Sequence, residues 1–278
     1  MISYAQNAED VVLARLLRNQ TTGQYVDVGA GHPIEDSVTK HFSDAGWHGV
    51  NVEPMEREHR LLCEERPDDV NLQVALAEHG GRAPFFEAPL ENRGASTMSR
   101  HIVERYRDQV FTPVTVDVTT LADVCRRHVT GGIDFLKIDV EGQEEAVIRG
   151  GDWEQFRPRV LVVEATEPNS TVESHAAWEP VLLEHGYRCA LFDGLNRFYA
   201  EAGDEAALAT LAVPANVLDG YEPWRWVRRI DGAQAHIEKV EASRVVAEQW
   251  AEQLESRIRM LADRARALDP ERAEGPER

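Results

Sequence analysis

The sequence predicts an α/β fold: about seven mostly parallel strands with helices on both faces, followed by one long C-terminal helix. Three observations carry this prediction. Short apolar runs alternate with amphipathic stretches over the first two-thirds of the chain, as in a parallel sheet between helical layers. Residues 159–165 are almost continuously apolar, as a strand covered on both faces must be. From Asp231 to Leu268 there is no proline and no glycine beyond Gly232, and apolar residues recur in steps of three and four.

The elements follow in order. A helix is expected within residues 4–19, with Val11, Val12, Leu16 and Leu17 on one face. Strands are expected at 24–30, 48–53 and 71–77, with a helix near 37–45 ended by Gly46. Residues 80–112 hold two prolines, scattered charge and a Gly94-Ala95-Ser96-Thr97 run, and read as a long loop with room for a hairpin. Residues 112–118 alternate as a strand, and a short helix follows at 121–127. A strand at 133–140 leads to a helix at 144–149 that stops at Gly150-Gly151. After the strand at 159–165 come a helix at 174–185, a strand at 187–192, a Gly194-Leu195-Asn196 turn and an antiparallel partner at 197–199.

The chain of 278 residues and 31.3 kDa suits one generous domain with an appendage. We divide it into a core domain at 1–203, an Ala-rich then aromatic connecting segment at 204–230, a long amphipathic helix at 231–268 and a disordered tail at 269–278. The stripe Ala247, Trp250, Leu254, Ile258, Leu261, Ala265 and Leu268 has coiled-coil character with an irregular heptad phase. It is expected to make the protein a homo-oligomer, because few apolar residues elsewhere are free to cover so long a stripe; folding back onto the core is the plainer reading.

Thirty Lys and Arg against 49 Asp and Glu give a net charge of −19. So acidic a surface repels phosphate backbones and anionic lipid, which argues against nucleic acid as a partner. No apolar stretch is long enough for membrane insertion and the first residues lack a signal-peptide pattern, so a cytoplasmic location is expected. Cys63, Cys125 and Cys189 are distant and odd in number, and read as buried packing thiols.

The first informative segment is Tyr25-Val26-Asp27-Val28-Gly29-Ala30-Gly31-His32. A strand ending in glycines puts a backbone-lined hollow at the carboxyl edge of the sheet, where open α/β sheets bind ligands. Glu53 closes the next strand 22 residues after Gly31, where a carboxylate can grip both ribose hydroxyls of an adenosine. A pyrophosphate would want a third glycine and a bare helix N-terminus. Here Glu35 and Asp36 stand in that region. Acids repel a pyrophosphate but suit a sulfonium and an α-amino group, which favours S-adenosylmethionine over NAD. A glycine turn without ligand is the plainer alternative.

The second segment is Asp134-Phe135-Leu136-Lys137-Ile138-Asp139-Val140-Glu141-Gly142. Alternation puts Leu136, Ile138 and Val140 on one face and Lys137, Asp139 and Glu141 on the other. A lysine within an apolar sheet needs a counter-ion, and Asp27 on a neighbouring strand is the expected one. Glu164 ends the following strand and should converge with Asp139. Such a pair can hold Mg²⁺ for substrate positioning, with Asp139 and Glu164 as ligands. Alternatively one carboxylate, most simply Glu141, serves as a metal-free general base. Asp139 and Glu141 would otherwise only cap the next helix. Asp193 and Asn169 are weaker third ligands. His32 sits in the glycine loop, and Ser96 and Thr97 either reach a ligand or form a turn.

Together, Ser3-Tyr4-Ala5-Gln6-Asn7-Ala8-Glu9-Asp10, Val26-Asp27-Val28-Gly29-Ala30, Gly46-Trp47-His48-Gly49-Val50-Asn51-Val52-Glu53-Pro54 and Phe135-Leu136-Lys137-Ile138-Asp139-Val140-Glu141-Gly142 resemble the FkbM family of methyltransferases over about residues 1–200. The resemblance implies a class I methyltransferase, Rossmann-like fold and an S-adenosylmethionine-dependent O-methyltransferase acting on hydroxyls of natural products or sugars. It also implies that Asp27, Gly29, Ala30 and Gly31 line the cofactor, that Glu53 and Pro54 meet its ribose, and that Ser37 faces the same loop. Gln6, Glu9 and Asp10 would form a lid.

The combined reading is methyl transfer to a small-molecule or glycan hydroxyl, with Asp139, Glu164 and Glu141 handling that hydroxyl, with or without Mg²⁺. The rival from another class is a non-catalytic assembly protein that scaffolds a biosynthetic complex through the C-terminal helix.

Overall fold

A computed structural model describes residues 1–106, 108–168 and 170–268. The expected disordered tail at 269–278 and the candidate ligand Asn169 lie outside the described residues.

Seven strands form the central sheet: β1 (Gln24–Val28), β2 (His48–Val52), β3 (Val70–Leu72), β4 (Phe135–Ile138), β5 (Val160–Glu164), β6 (Tyr187–Phe192) and β7 (Asn196–Glu201). Their spatial order is β3-β2-β1-β4-β5-β7-β6. β1 to β5 run parallel, and β7 lies antiparallel to both β5 and β6. The order therefore reverses between β1 and β4, and ligands of such sheets bind beyond the carboxyl ends at that switch point. This is the class I, Rossmann-like architecture that the resemblance implies.

The two faces of the sheet carry separate apolar cores. Val26, Val28, Leu136, Ile138, Leu161 and Val163 pack with Val147, Ile148, Trp178 and Leu182. Tyr25, Phe135, Val160, Val162 and Phe198 pack with Leu13, Phe42, Trp47, Leu208 and Leu211. Period-two alternation along β1 and β4 sends Asp27 and Lys137 to the second of these faces.

Several elements differ from expectation. The strand expected at 71–77 is two strands: β3 in the central sheet, and Ala75–Leu76 in a separate three-stranded sheet with Gly81–Glu87 and Thr112–Thr119. Gly81–Glu87 and Thr112–Thr119 pair antiparallel, so the 80–112 stretch does carry a hairpin. Between its arms lie a 3₁₀ turn at Leu90–Ala95 and a helix at Arg100–Arg105. The helix Glu56–Glu65 had no clear signal, because Leu62 is its one fully buried apolar side chain and its other inward residue is Glu58. The strand expected to reach Val140 ends at Ile138. Glu141 then takes a left-handed backbone with φ of 52°, so alternation does not govern where its side chain points. Cys63 is exposed and Cys189 half-buried, which corrects the expectation of three buried thiols; Cys125 is buried and all three are free.

Within 204–230, the helix Glu205–Leu211 is N-capped by Asp204, which accepts from the Ala207 N–H at 2.9 Å. Its Ala207, Leu208 and Leu211 join the core beside Leu13 and Leu17. Glu222–Pro223 pairs in parallel with Ile2–Ser3. A 45-residue helix, Trp224–Leu268, follows, and none of its residues is buried. Among the described residues, no helix is long and apolar enough to cross a membrane.

Candidate active site

The carboxyl ends of β1, β2, β4 and β5 open into one cavity of about 610 Å³. Its floor is backbone. The N–H groups of Gly29 and Ala30 both donate to the Val52 carbonyl, at 3.0 and 3.1 Å, and the Asp139 N–H donates to the Val28 carbonyl at 3.1 Å. Gly29 is obligatory here. Its φ is 74°, and a Cβ would sit 1.8 Å from the Asp139 carbonyl oxygen. Gly31, with φ of 58°, has nothing within 4 Å of where a Cβ would stand, so its requirement is conformational and it borders open space.

Glu53 is buried at the end of β2 and lines the cavity with Pro54. Its carboxylate accepts from the N–H of Gly31 and of Met55, both at 2.8 Å, which ties the β1 and β2 loops together. Burial pushes its carboxyl up to about 7, against the pull of those two N–H donors. A carboxylate has about four lone-pair directions, so two remain for a ligand.

Asp27 and Ser37 stand outside the cavity lining, whereas Gly29, Ala30 and Gly31 are within it. Asp27 is 1% exposed, accepts from the Thr39 hydroxyl at 2.7 Å, and lies 3.4 Å from the Lys137 ammonium. Lys137 also lies 3.4 Å from Asp139 and donates to the Gly29 carbonyl at 2.6 Å. Burial disfavours its ammonium, but Asp139 and Asp27 outweigh that and hold its pKa above the usual lysine value. The expected Asp27–Lys137 pair follows from register, since the two residues are direct partners across β1 and β4. Lys137 thereby braces the glycine turn from behind and presents charge to Asp139 in front.

Ser37 accepts from Arg66, which the sequence reading missed. This buried guanidinium donates to the Ser37 and Thr39 hydroxyls at 2.7 Å and to the Pro33 carbonyl at 2.6 Å. It shapes the loop after Gly31 from inside the protein. No local pattern marks it, because its partners lie 15 to 33 residues away.

Asp139, Glu141 and Glu164 converge: among the described residues they form a group whose carboxylate oxygens lie within 4.8 Å of one another. Glu164 lies beside Asn196 in the β5–β7 register and is 7% exposed. Its Oε2 is buried without a hydrogen-bond partner. Burial first, then the charge of Asp139 and Glu141, pushes the Glu164 carboxyl well above the ordinary range. Glu141 is raised by burial and then by Asp139. Its backbone carbonyl accepts from the buried Thr97 hydroxyl at 2.8 Å, so Thr97 anchors the turn. Glu144, a fourth acid, accepts from the N–H of Val140 and Gly142 at 3.1 Å. It is the acid that caps this turn, the role that the plainer alternative reserved for Asp139 and Glu141.

The remaining candidates divide. Gln6 lines the cavity. Glu9 and Asp10 do not, and they serve the amino-terminal turn instead of forming a lid. Glu9 accepts from Asn196 Nδ2 at 2.6 Å and from the Asn7 N–H at 2.8 Å; Asp10 accepts from Ser3 Oγ at 2.6 Å and from the Tyr4 N–H at 2.8 Å. Asp193 accepts from the N–H of Leu195 and Asn196, at 2.9 and 2.7 Å, and closes the β6–β7 turn. His32 borders the cavity and turns Nδ1 to the N–H of Ile34 and Glu35. Ser96 also borders it, with its hydroxyl donating to the Arg93 carbonyl at 2.7 Å and accepting from the Ala88 N–H at 3.0 Å. Arg93 and Glu35 form a 2.5 Å ion pair at the rim.

The buried acids give stability a defined pH dependence. Burial raises Glu9 to about 8, Glu53 to about 7 and Asp10 to about 6. In the unfolded chain these groups ionise near pH 4. Each therefore contributes stability that is fully present below pH 4 and is lost as pH rises through 6 to 8. His32 and His41, depressed by burial, act in the opposite sense below pH 6.5. The Tm of the ligand-free protein at constant ionic strength is therefore expected to fall by several degrees between pH 6.5 and 8.5. A flat or rising Tm over that interval would contradict the assignment.

Residues 27–189 match the Methyltransferase FkbM domain family. Similar solved structures include a TehB-like SAM-dependent methyltransferase from Corynebacterium glutamicum, at 8% identity over 69% of this chain and 87% of that one, with a TM-score of 0.38. They also include a fibrillarin pre-rRNA processing protein from Methanococcus jannaschii, at 14% identity over 66% of this chain and 68% of that one, with a TM-score of 0.33. No curated protein matches. The family match covers more than half of the chain and spans the glycine turn, Glu53 and the three converging carboxylates, and on that ground the chain belongs to the FkbM methyltransferase family.

Proposed function

We propose that this protein transfers a methyl group from S-adenosylmethionine to a hydroxyl of a sugar or other hydroxylated natural product. The observation that carries the reading is the meeting, in one cavity, of a glycine-lined floor, a buried ribose-compatible carboxylate and three converging acids. The residues fit the cofactor. The Gly29–Gly31 turn offers bare backbone, Glu53 keeps free lone pairs, and the acid-rich wall suits a sulfonium and an ammonium. When bound, S-adenosylmethionine supplies an electrophilic methyl group.

The chain's own groups supply the rest. Glu53 and Pro54 hold the ribose side, and Ala30 and Gly31 close on it. Glu164 and Glu141, whose burial makes them strong proton acceptors once ionised, take the proton of the incoming hydroxyl. Much of the rate enhancement comes from holding the hydroxyl in line with the methyl group. The unpartnered Oε2 of Glu164 favours a second possibility for the same acids, namely that Asp139 and Glu164 ligate Mg²⁺ and orient the hydroxyl through it.

Calorimetric titration with S-adenosylhomocysteine tests the first statement, and titration with Mg²⁺ alone tests the second. Micromolar binding of S-adenosylhomocysteine is expected, and its absence in buffers with and without Mg²⁺ would favour the scaffold alternative. Saturable Mg²⁺ binding lost in Glu164→Gln would assign the acids to metal; no Mg²⁺ binding would leave them as a general base.

A further inference from the structure

The helix Trp224–Leu268 carries a regular heptad once the phase is taken from Ile230 as position a. The phase is irregular only where Trp250, a flanking g position, stands in the stripe. With Ala251 in its place, the a positions hold Ile230, Ile237, Ala251, Ile258 and Ala265, with Arg244 as the charged exception. The d positions hold Ala233, Val240, Ala247, Leu254, Leu261 and Leu268, and Trp226 begins the series. The spacing is unbroken over six heptads, or about 63 Å at 1.5 Å per residue. Ile230, Ile237, Val240, Leu254, Ile258, Leu261 and Leu268 are each more than half exposed. An apolar seam of this length calls for a partner with a matching seam.

We propose that the partner is a second copy of this chain, and that the two helices form a parallel, in-register, two-stranded coiled coil over residues 226–268. Two observations select this occupant. Isoleucine at three a positions (Ile230, Ile237, Ile258) and leucine at three d positions (Leu254, Leu261, Leu268), with alanine or valine in the other apolar layers, incline the seam to two parallel strands. The flanking charge then selects orientation. The e column carries Glu241, Glu248 and Glu255, while the g column is neutral or basic, with Arg229, His236, Ser243, Trp250, Arg257 and Arg264. In a parallel pair, g of one helix faces e of the next heptad on the other. That sets His236 against Glu241 of the other copy, and none of these g–e′ positions pairs like charges. An antiparallel pair centred on Glu248 would set the three glutamates against the same three, which is destabilising. Arg244 is the single charged a position and already reaches Glu248 at 3.5 Å along its own helix. A lone polar a residue of this kind penalises shifted registers.

The test uses the full chain. Light scattering after size exclusion is expected to give about twice 31.3 kDa for the wild type. Leu254→Glu with Leu261→Glu should give the monomer mass, whereas Val246→Glu, at position c, should remain a dimer. Orientation is read by Ala233→Cys in a Cys63→Ser background under mild oxidation. Two d positions at one end of the coil meet only in a parallel, in-register pair, so a covalent dimer is expected. A monomeric wild type would overturn the proposal, as would a dimer that survives the double substitution. A dimer that does not cross-link through Ala233→Cys would overturn the parallel arrangement.

Discussion

Lys137→Met is expected to destabilise the protein by about 3–5 kcal/mol, the usual cost of removing one member of a buried ion pair. At roughly 2–4 °C per kcal/mol for a domain of this size, Tm should fall by about 10 °C. The size of the effect follows from what the ammonium leaves behind. Asp27 would be left at 1% exposure without its cation and with Oδ1 lacking any hydrogen-bond donor, and the Gly29 carbonyl would lose its 2.6 Å partner. Methionine fills the same volume, so the loss reports charge more than packing. Adding Asp27→Asn should recover a substantial part, because the stranded charge goes with it. Thermal melts of the single and double variants check this. A shift below about 3 °C in Lys137→Met would mean that the ammonium does not sustain the pair.

Glu53→Ala is expected to weaken S-adenosylhomocysteine binding about 100-fold, equivalent to about 2.8 kcal/mol. A buried carboxylate gripping two ribose hydroxyls makes charge-assisted hydrogen bonds of roughly 1.5–3 kcal/mol each. The same substitution removes the acceptor for the Gly31 and Met55 N–H groups, so it also loosens the loop that the ligand must meet. Glu53→Gln separates the two contributions. It keeps one acceptor oxygen and most of the shape, and it should fall between wild type and Glu53→Ala in affinity with a smaller loss of Tm. Equal affinity in all three proteins by calorimetry would remove Glu53 from the cofactor site.

The element order was legible because it is encoded locally. Apolar runs of strand length, glycines at helix ends and the shift of period between them are properties of neighbouring residues. The Asp27–Lys137 pair was legible for a related reason: a buried ammonium demands a counter-ion, and few acids lie on adjacent strands. The convergence of Asp139 with Glu164 needed only that β4 and β5 be neighbours. Glu141 was a harder case. Its residue type pointed to the site, but its left-handed backbone ended the alternation from which its direction was inferred.

The sequence alone thus determined the layered α/β architecture, the polar carboxyl edge of the sheet and the acids gathered there, because periodicity and charge are written residue by residue. The tertiary structure decided which of those polar groups face the cavity. It turned Ser37 inward to Arg66, gave Glu9 to Asn196, and brought Leu90–Ala95 to the cavity wall. The physical reason is that a buried polar group is committed by whichever partner long-range packing brings within 3 Å, and that partner is chosen by strand register and loop path, which no local pattern records.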